Sequence, residues 1–379
     1  MLVLFPAIAF AGPAEEIAPL LNGQSTVVAH IDLTKLEAQK IVDNLRKAVD
    51  DTLLAVGLPE QEVEQYKGMV KMGLAMGMMQ AQGVLGKLTK DGKATDAFLV
   101  VDLAVNEVMG MPVPEPNVFV AIPVGDKGKA ETDAIRTAFK TMKMDVNFVR
   151  HGFVVGVFVK DADSKNDVMD FAKERFKDAD PVDYPMLATA FERADAAPIN
   201  VAILPSESHK EISKPKDIQL PQGIQIPPEV MKDIETQQKI AKITSEGFDW
   251  MAIGVDPQAL SLRYVLKFKT ADQAKEIDEL YREQLNNSIE MLGNMGMLPL
   301  EASEIRKAIE LFMPKLEGDC FESQIDRALF AENAELFGNL AKAGMAAFQT
   351  MQRNMQRDFG GAPSVEAFGD SDAEEGDDN

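Results

Sequence analysis

Apolar residues recur in two different ways along this chain, and the changes between them mark the predicted elements. Short runs rich in β-branched residues are typical of strands, whereas apolar residues three and four positions apart are typical of helices. In the first half this pattern predicts strands over 25–33, 96–103 and 117–124, a hairpin over 146–159, and helices over 34–50, 60–86, 129–144 and 164–176. Prolines 112, 114 and 116 predict a loop between the second and third strands.

Local signals support several of these boundaries. Thr34 and Glu37 have the spacing of a capping box, which predicts a helix start, and Thr270 with Gln273 does the same in the second half. The pair His151–Gly152 can supply the positive φ angles of a tight turn between two apolar runs.

The second half repeats the order of the first. Its pattern predicts strands over 198–204, 248–255, 260–268 and 321–325, and helices over 229–243, 270–292 and 302–313. After the last strand it predicts a terminal helix that ends at about 357. We therefore expect an internal duplication, with halves at 12–180 and 181–358 and a Pro-rich insert at 214–228. Short turns imply antiparallel pairing, so the predicted fold class is α+β, each half an antiparallel sheet with helices packed on one face.

Both chain ends differ from this body. Residues 1–11 are apolar and end in Ala9-Phe10-Ala11, the small-x-small pattern of a signal peptide that is truncated at its start; the alternative is a buried strand. The last ten residues hold six acids, and 359–379 is expected to be a disordered acidic tail. No other stretch is apolar enough for a membrane span. Together with the leader, this predicts an exported, soluble protein of the periplasm or the medium.

Composition and charge exclude several partners. The chain has 39 basic and 61 acidic residues, a net charge of -22, so nucleic acid is an unfavourable partner and an anionic membrane surface is disfavoured. The hydrophobic share of 46% is typical of a folded body. Cys320 is the only cysteine, which excludes an internal disulfide and a lipoprotein anchor at the cleavage point and favours a bacterial envelope.

Histidine and aspartate offer few candidates for chemistry. If 25–33 is a strand, His30 and Asp32 share a face and could form a His-carboxylate pair; the alternative is a polar face beneath helices, with Asp32 capping the next turn. Asp32, Asp102 and Asp256 each end a strand and could together bind a cation, although aspartate is also favoured there for local turns. No phosphate loop, nucleophile motif, metal site or cofactor site is predicted.

Methionine is the most unusual feature of the composition, with 21 residues. Met69, Met72, Met76 and Met79 fall on one face of the helix predicted over 60–86, interspersed with glycines that would let another group approach closely. Thioethers suit Cu(I), but such stripes are more often adaptable packing. These four residues are the candidate ligand or partner surface. The sequence leaves open whether they lie in a core, in a cavity or against a partner.

The segment Val27–Leu36, behind a leader and ahead of paired strands and capped helices, resembles families of exported bacterial proteins that have no assigned activity. The resemblance covers the architecture and this short segment, and it implies no catalytic residues. The leading hypothesis is a non-catalytic exported binding or scaffolding protein of the bacterial envelope. The alternatives are a carrier of an apolar ligand through the Met/Gly-rich helix and, third, a hydrolase that uses His30 and Asp32.

Overall fold

A computed structural model describes residues 12–56, 60–108, 111–144, 146–158, 175, 184–195, 197–206, 228–294, 302–340 and 342–343. The predicted signal peptide, the helix over 164–176 except Arg175, the Pro-rich insert except Pro228, and the acidic tail lie outside the described residues. No helix in the described part of the chain is both long and apolar enough to cross a membrane.

The first half alternates helices with strands. In chain order its elements are α1 (Pro13–Ile17), a 3₁₀ turn (Ala18–Leu20), β1 (Ser25–Asp32), a second 3₁₀ turn (Leu33–Lys35), α2 (Ala38–Val56), α3 (Glu60–Gly86), a π-helical turn (Lys87–Asp91), β2 (Asp96–Val108), β3 (Met111–Pro123), α4 (Lys129–Thr141), β4 (Val146–Arg150) and β5 (Phe153–Val157). The predicted turn of the β4–β5 hairpin is confirmed, with positive φ at His151 and Gly152.

The second half follows the same plan. Its elements are α5 (Pro185–Arg193), β6 (Ile199–Ile203), α6 (Pro228–Gly247), β7 (Phe248–Asp256), β8 (Ser261–Phe268), α7 (Ala271–Asn294), α8 (Ala302–Phe312), β9 (Lys315–Glu317), β10 (Cys320–Ile325) and α9 (Arg327–Glu332). The predicted cap of α7 is confirmed, because Gln273 N donates to Thr270 Oγ1 at 3.2 Å. The capping box at Thr34 is not: Asp32 caps a 3₁₀ turn there, and α2 begins only at Ala38.

The ten strands of the described residues belong to one antiparallel sheet, in the order β4-β5-β3-β2-β1-β6-β7-β8-β10-β9. Counted outward from the centre, both halves have the same strand order. At the centre β1 pairs with β6, with Ala29 opposite Val201. The α+β class and the antiparallel pairing are therefore confirmed, and the two predicted sheets are joined edge to edge into one.

Helices cover both faces of this sheet, not one face as expected. On one face α1 and α5 pack on the strands through Ile17, Leu187 and Ala190. On the other face α4 packs on the first half, and α6 with α7 on the second half. The reason lies in the strands: β5 is buried at every position, so apolar side chains point to both sides and each side needs a cover.

The three prolines lie inside β3, so the loop predicted for them is wrong. Pro112, Pro114 and Pro116 pair with Glu107, Val105 and Leu103 of β2. Val118 O accepts a hydrogen bond from Phe158 N, which shows that the backbone groups of Val118 point toward β5, away from β2. In a strand, the backbone N–H and C=O groups of residues two apart point to the same side, so positions 112, 114 and 116 also face away from β2. The N–H groups that the three prolines lack would therefore not have bonded to β2.

Candidate functional site

The methionine stripe lies on the surface of the protein. Met69, Met72, Met76 and Met79 of α3 are 55%, 64%, 68% and 74% exposed. Their spacing of three, four and three residues places them along one line on the helix, opposite the half-buried Leu74 and Met78. The sequence left open whether the stripe lies in a core, in a cavity or against a partner, and the structure places it in solvent.

Helix α3 is held near its ends and exposed between them. Val63 near its start and Leu88 just beyond its end are buried. Between positions 71 and 83, every residue is exposed except Leu74 and Met78. The stripe is therefore presented on a helix segment that contributes little to the core.

The glycines of α3 serve no close contact within the part of the chain that the structure describes. A Cβ atom built at Gly68, Gly73, Gly77 or Gly83 would meet nothing within 4 Å. Glycine inside a helix costs about 1 kcal/mol relative to alanine, so these positions weaken α3 without improving its packing. Small residues on an exposed helix are useful when a second backbone approaches closely.

The exposed part of α3 carries one charge, Lys71 at its start, and is otherwise uncharged. No charged residue occurs from Met72 to Gly86, although the whole chain carries a net charge of -22. Lys67, just before the stripe begins at Met69, lies 3.7 Å from Asp50 and 3.4 Å from Glu64. The stripe is thus a neutral, apolar strip on a strongly acidic protein.

A polar cleft of about 470 Å³ is formed by elements other than α3. It opens at the end of the sheet, where Lys35, Asp195 and Arg263 contribute to its lining. These charges are engaged: Lys35 lies 3.1 Å from Asp32, and Arg263 lies 3.3 Å from Asp195. An apolar ligand would find little apolar surface there, and the stripe does not face this cleft.

His30 has a carboxylate partner, but that partner is not Asp32. Its Nε2 donates to Asp96 Oδ1 at 2.8 Å, and its side chain is only 8% exposed. The ring lies beneath α5, 5.1 Å from the ring of Phe98 and 6.1 Å from that of Phe191. The predicted His30–Asp32 pair is therefore replaced by a pair across two strands, enclosed by aromatic rings.

Asp32 makes local contacts instead. Its Oδ1 accepts from Thr34 N at 3.1 Å and from Thr34 Oγ1 at 2.5 Å. These bonds and nearby Lys35 lower its pKa, although partial burial acts in the opposite direction. This is the alternative that the sequence allowed, in which Asp32 caps the turn after β1.

The three strand-end aspartates do not form one site. Ser25 pairs with Asp102 at one end of β1, and Asp32 pairs with Asp96 at the other, so Asp102 and Asp32 lie at opposite ends of the sheet. Asp256 accepts hydrogen bonds from Gln258 N and Ala259 N of its own turn. Across the described ranges, no three His, Cys, Asp or Glu residues are placed to hold a metal ion.

Asp102 belongs to a buried ion pair that sequence patterns did not indicate. Arg175 Nε donates to Asp102 Oδ2, and both side chains are almost completely buried. Arg175 Nη2 also donates to Leu20 O at 2.8 Å, and Ser25 Oγ donates to Asp102 Oδ1 at 2.8 Å. Asp102 was predicted to end a strand, but β2 continues to Val108, so Asp102 lies inside the strand. Its partner Arg175 lies far along the chain.

The His30–Asp96 pair predicts a pH-dependent stability. The hydrogen bond from His30 holds the pKa of Asp96 below its usual value of 3.8. The stabilisation is therefore present above pH 4 and is lost as the pH falls through the lowered pKa. In urea unfolding between pH 5 and pH 3, Asp96→Asn should lose stability less steeply than the wild type. A His30→Phe variant should show the same shallower slope, and an unchanged slope in both variants would contradict the pairing.

Cys320 is buried, and burial raises the pKa of its thiol, which disfavours a reactive thiolate.

Comparisons with models of protein families, with curated proteins and with solved structures found no match to this chain. Function is therefore inferred from the sequence and the described residues.

Proposed function

We propose that this chain is a non-catalytic binding or scaffolding protein, exported to the bacterial envelope, whose contact surface is the methionine stripe of α3. The observation that carries the proposal is the exposure of four apolar side chains in one line, each more than half exposed. Contiguous apolar surface on a soluble protein marks an interaction site more often than an accident of packing. Flexible, polarizable methionine side chains suit such a site because they adapt to the shape of a partner.

Two positive features support a non-catalytic role. His30, the histidine with a carboxylate partner, is enclosed beneath α5, so a substrate would have to displace Phe191 to reach it. Cys320 is buried with a raised thiol pKa. Export rests on the leader pattern of residues 1–11 and on the resemblance of Val27–Leu36 to exported bacterial families. Cleavage after Ala11 would leave α1 intact, since that helix begins at Pro13.

Site-specific photo-crosslinking tests the contact surface. A benzoylphenylalanine residue replaces Met76 in the cells that naturally make the protein, and the matched control replaces Met291 of α7, which is 57% exposed. We expect a discrete crosslinked product from position 76 and none from position 291. The absence of a product at position 76, or equal products at both positions, would overturn the proposal.

Native mass spectrometry separates this proposal from the carrier alternative. Protein purified from its own cells should have the mass of a chain that begins at Gly12. It should carry no small molecule. A carrier would retain extra mass that disappears on denaturation. Because the stripe faces solvent and the 470 Å³ cleft is polar, we expect no retained apolar ligand.

A further inference from the structure

We infer that the partner of the methionine stripe is the same stripe on a second copy of this chain, with the two α3 helices packed antiparallel. This inference rests on the proposed function, because it names the occupant of the same surface. Three features of α3 carry it: the spacing of the methionines, the small residues that flank them, and the distribution of charge along the helix.

The spacing is that of a two-helix seam. Residues 69, 72, 76 and 79 recur at intervals of three, four and three, which is the a and d pattern of a helix that packs lengthwise on another helix. A face of this kind is straight over about three turns, and the exposed segment 71–83 presents most of it. The stripe therefore fits a helix better than it fits a strand or a loop.

The flanking positions allow the helices to approach closely. In the same pattern Gly68, Gly73 and Ala75 lie beside the seam, and the next flanking residues are Gln80 and Gln82. None of these side chains carries charge, and a Cβ at Gly68 or Gly73 would meet nothing within its own chain. A close second backbone gives these glycines a role that contacts inside the chain do not.

Charge along α3 favours an antiparallel pair of identical helices. The first part of the helix holds Glu60, Glu62 and Glu64 with Lys67 and Lys71, a net charge of -1 from three acids and two bases. Residues 72 to 86 are uncharged, and Lys87, Lys90 and Asp91 follow with a net charge of +1. A parallel pair would place like charges together, whereas an antiparallel pair places the acidic end of one helix beside the basic end of the other. The helix dipoles also favour the antiparallel pair, because they point in opposite directions in it.

A two-fold axis at the level of residue 74 completes the geometry. It places Met72 opposite Met76 of the second copy, and Met69 opposite its Met79, so a single patch is complementary to itself. Lys71 occupies position c of the same pattern, outside both the seam and its flanking positions. Elsewhere two copies with a net charge of -22 repel each other, and the neutral stripe is where that repulsion is smallest.

Sedimentation velocity of the purified chain tests self-association. At roughly 1–100 µM, a range that covers typical homodimer affinities, we expect the wild type to have twice the mass of one chain. Met72→Glu with Met76→Glu should be a monomer with an unchanged circular dichroism spectrum, because both side chains are exposed. The matched control Met291→Glu on α7 should remain a dimer. A monomeric wild type over the whole range would overturn the inference.

A glycine variant separates self-association from simple helix stability. Leucine is a much better helix former than glycine, and the space at Gly73 is open within the chain. Gly73→Leu should therefore raise the urea midpoint of the monomer while weakening the dimer by about tenfold or more. If the dimer is unaffected, the close approach of the two helices is wrong.

Disulfide trapping tests the direction of the pair. Chains carrying Met69→Cys should form mixed disulfides with chains carrying Met79→Cys, because these positions are opposed in an antiparallel pair. Met69→Cys alone should not form dimers, since its two copies are separated by about 15 Å along the axis. The reverse result would overturn the antiparallel arrangement. Wild-type protein is the control, because its only thiol, Cys320, is buried.

The outcomes distinguish the two proposals. A monomeric chain that still crosslinks from position 76 to a different protein leaves the binding function standing and removes the homodimer. A monomeric chain with no crosslink from position 76 removes both.

Discussion

Replacing Arg175 with alanine should lower the free energy of unfolding by about 3–5 kcal/mol, the cost of breaking a buried ion pair from one side. Asp102 is 0% exposed, so the variant would leave a buried carboxylate without its cation. The variant would also remove the donor to Leu20 O. Urea unfolding followed by circular dichroism measures the loss as a lower midpoint with a similar slope.

A double variant is the control for this prediction. Arg175→Met combined with Asp102→Leu removes both charges and fills a similar volume, so it should recover most of the lost stability. Ser25 and Leu20 would then lose hydrogen-bonding partners, so we expect the recovery to be incomplete. A single Arg175→Ala variant as stable as the wild type would contradict the described ion pair.

Substituting Gly254 by alanine should cost about 3 kcal/mol or more, because the new methyl group would overlap backbone that cannot move alone. A Cβ at Gly254 of β7 would lie 2.0 Å from the carbonyl oxygen of Ala194, at the end of α5. Ala194 is itself buried, so the end of α5 would have to lift from the sheet. Thermal unfolding measures the effect.

Gly23→Ala is the matched control for this substitution. A Cβ at Gly23 would meet nothing within 4 Å, so we expect a change of less than about 0.5 kcal/mol. If Gly254→Ala is equally harmless, the close contact between α5 and β7 is absent in solution.

The elements that the sequence predicted best are those whose boundaries have a local cause. Helix α3 has the predicted limits, 60–86, because Pro59 precedes it and an uninterrupted run without proline follows. The β4–β5 turn was predictable since glycine at 152 accepts positive φ without strain. The cap of α7 was predictable because Thr270 bonds to a residue three positions away.

The features that the sequence could not supply depend on register between distant strands. His30 pairs with Asp96 because β1 and β2 align Asp32 with Asp96, and nothing within either strand specifies that alignment. Prolines usually end strands, so their place in β3 could be recognised only once the side facing β2 was known. The joining of two sheets through β1 and β6 is likewise a long-range pairing.

For the candidate site, the sequence predicted which residues lie together but not where they lie. Helical spacing places Met69, Met72, Met76 and Met79 on one face whether that face is buried or exposed. Only the packing of the remaining helices decides between the two, and the described helices leave that face of α3 uncovered.

The central position of β1 has a consequence for the order of events during synthesis. β1 is the first strand to be made, yet it lies in the middle of the sheet and pairs with β2 on one side and β6 on the other. β6 is made about 170 residues later, which at ~5–20 residues per second is roughly ten to thirty seconds. Throughout that interval the growing chain carries an unpaired apolar strand edge. The sheet can therefore be completed only after the second half has emerged. A chain held extended until then avoids pairing with neighbouring chains.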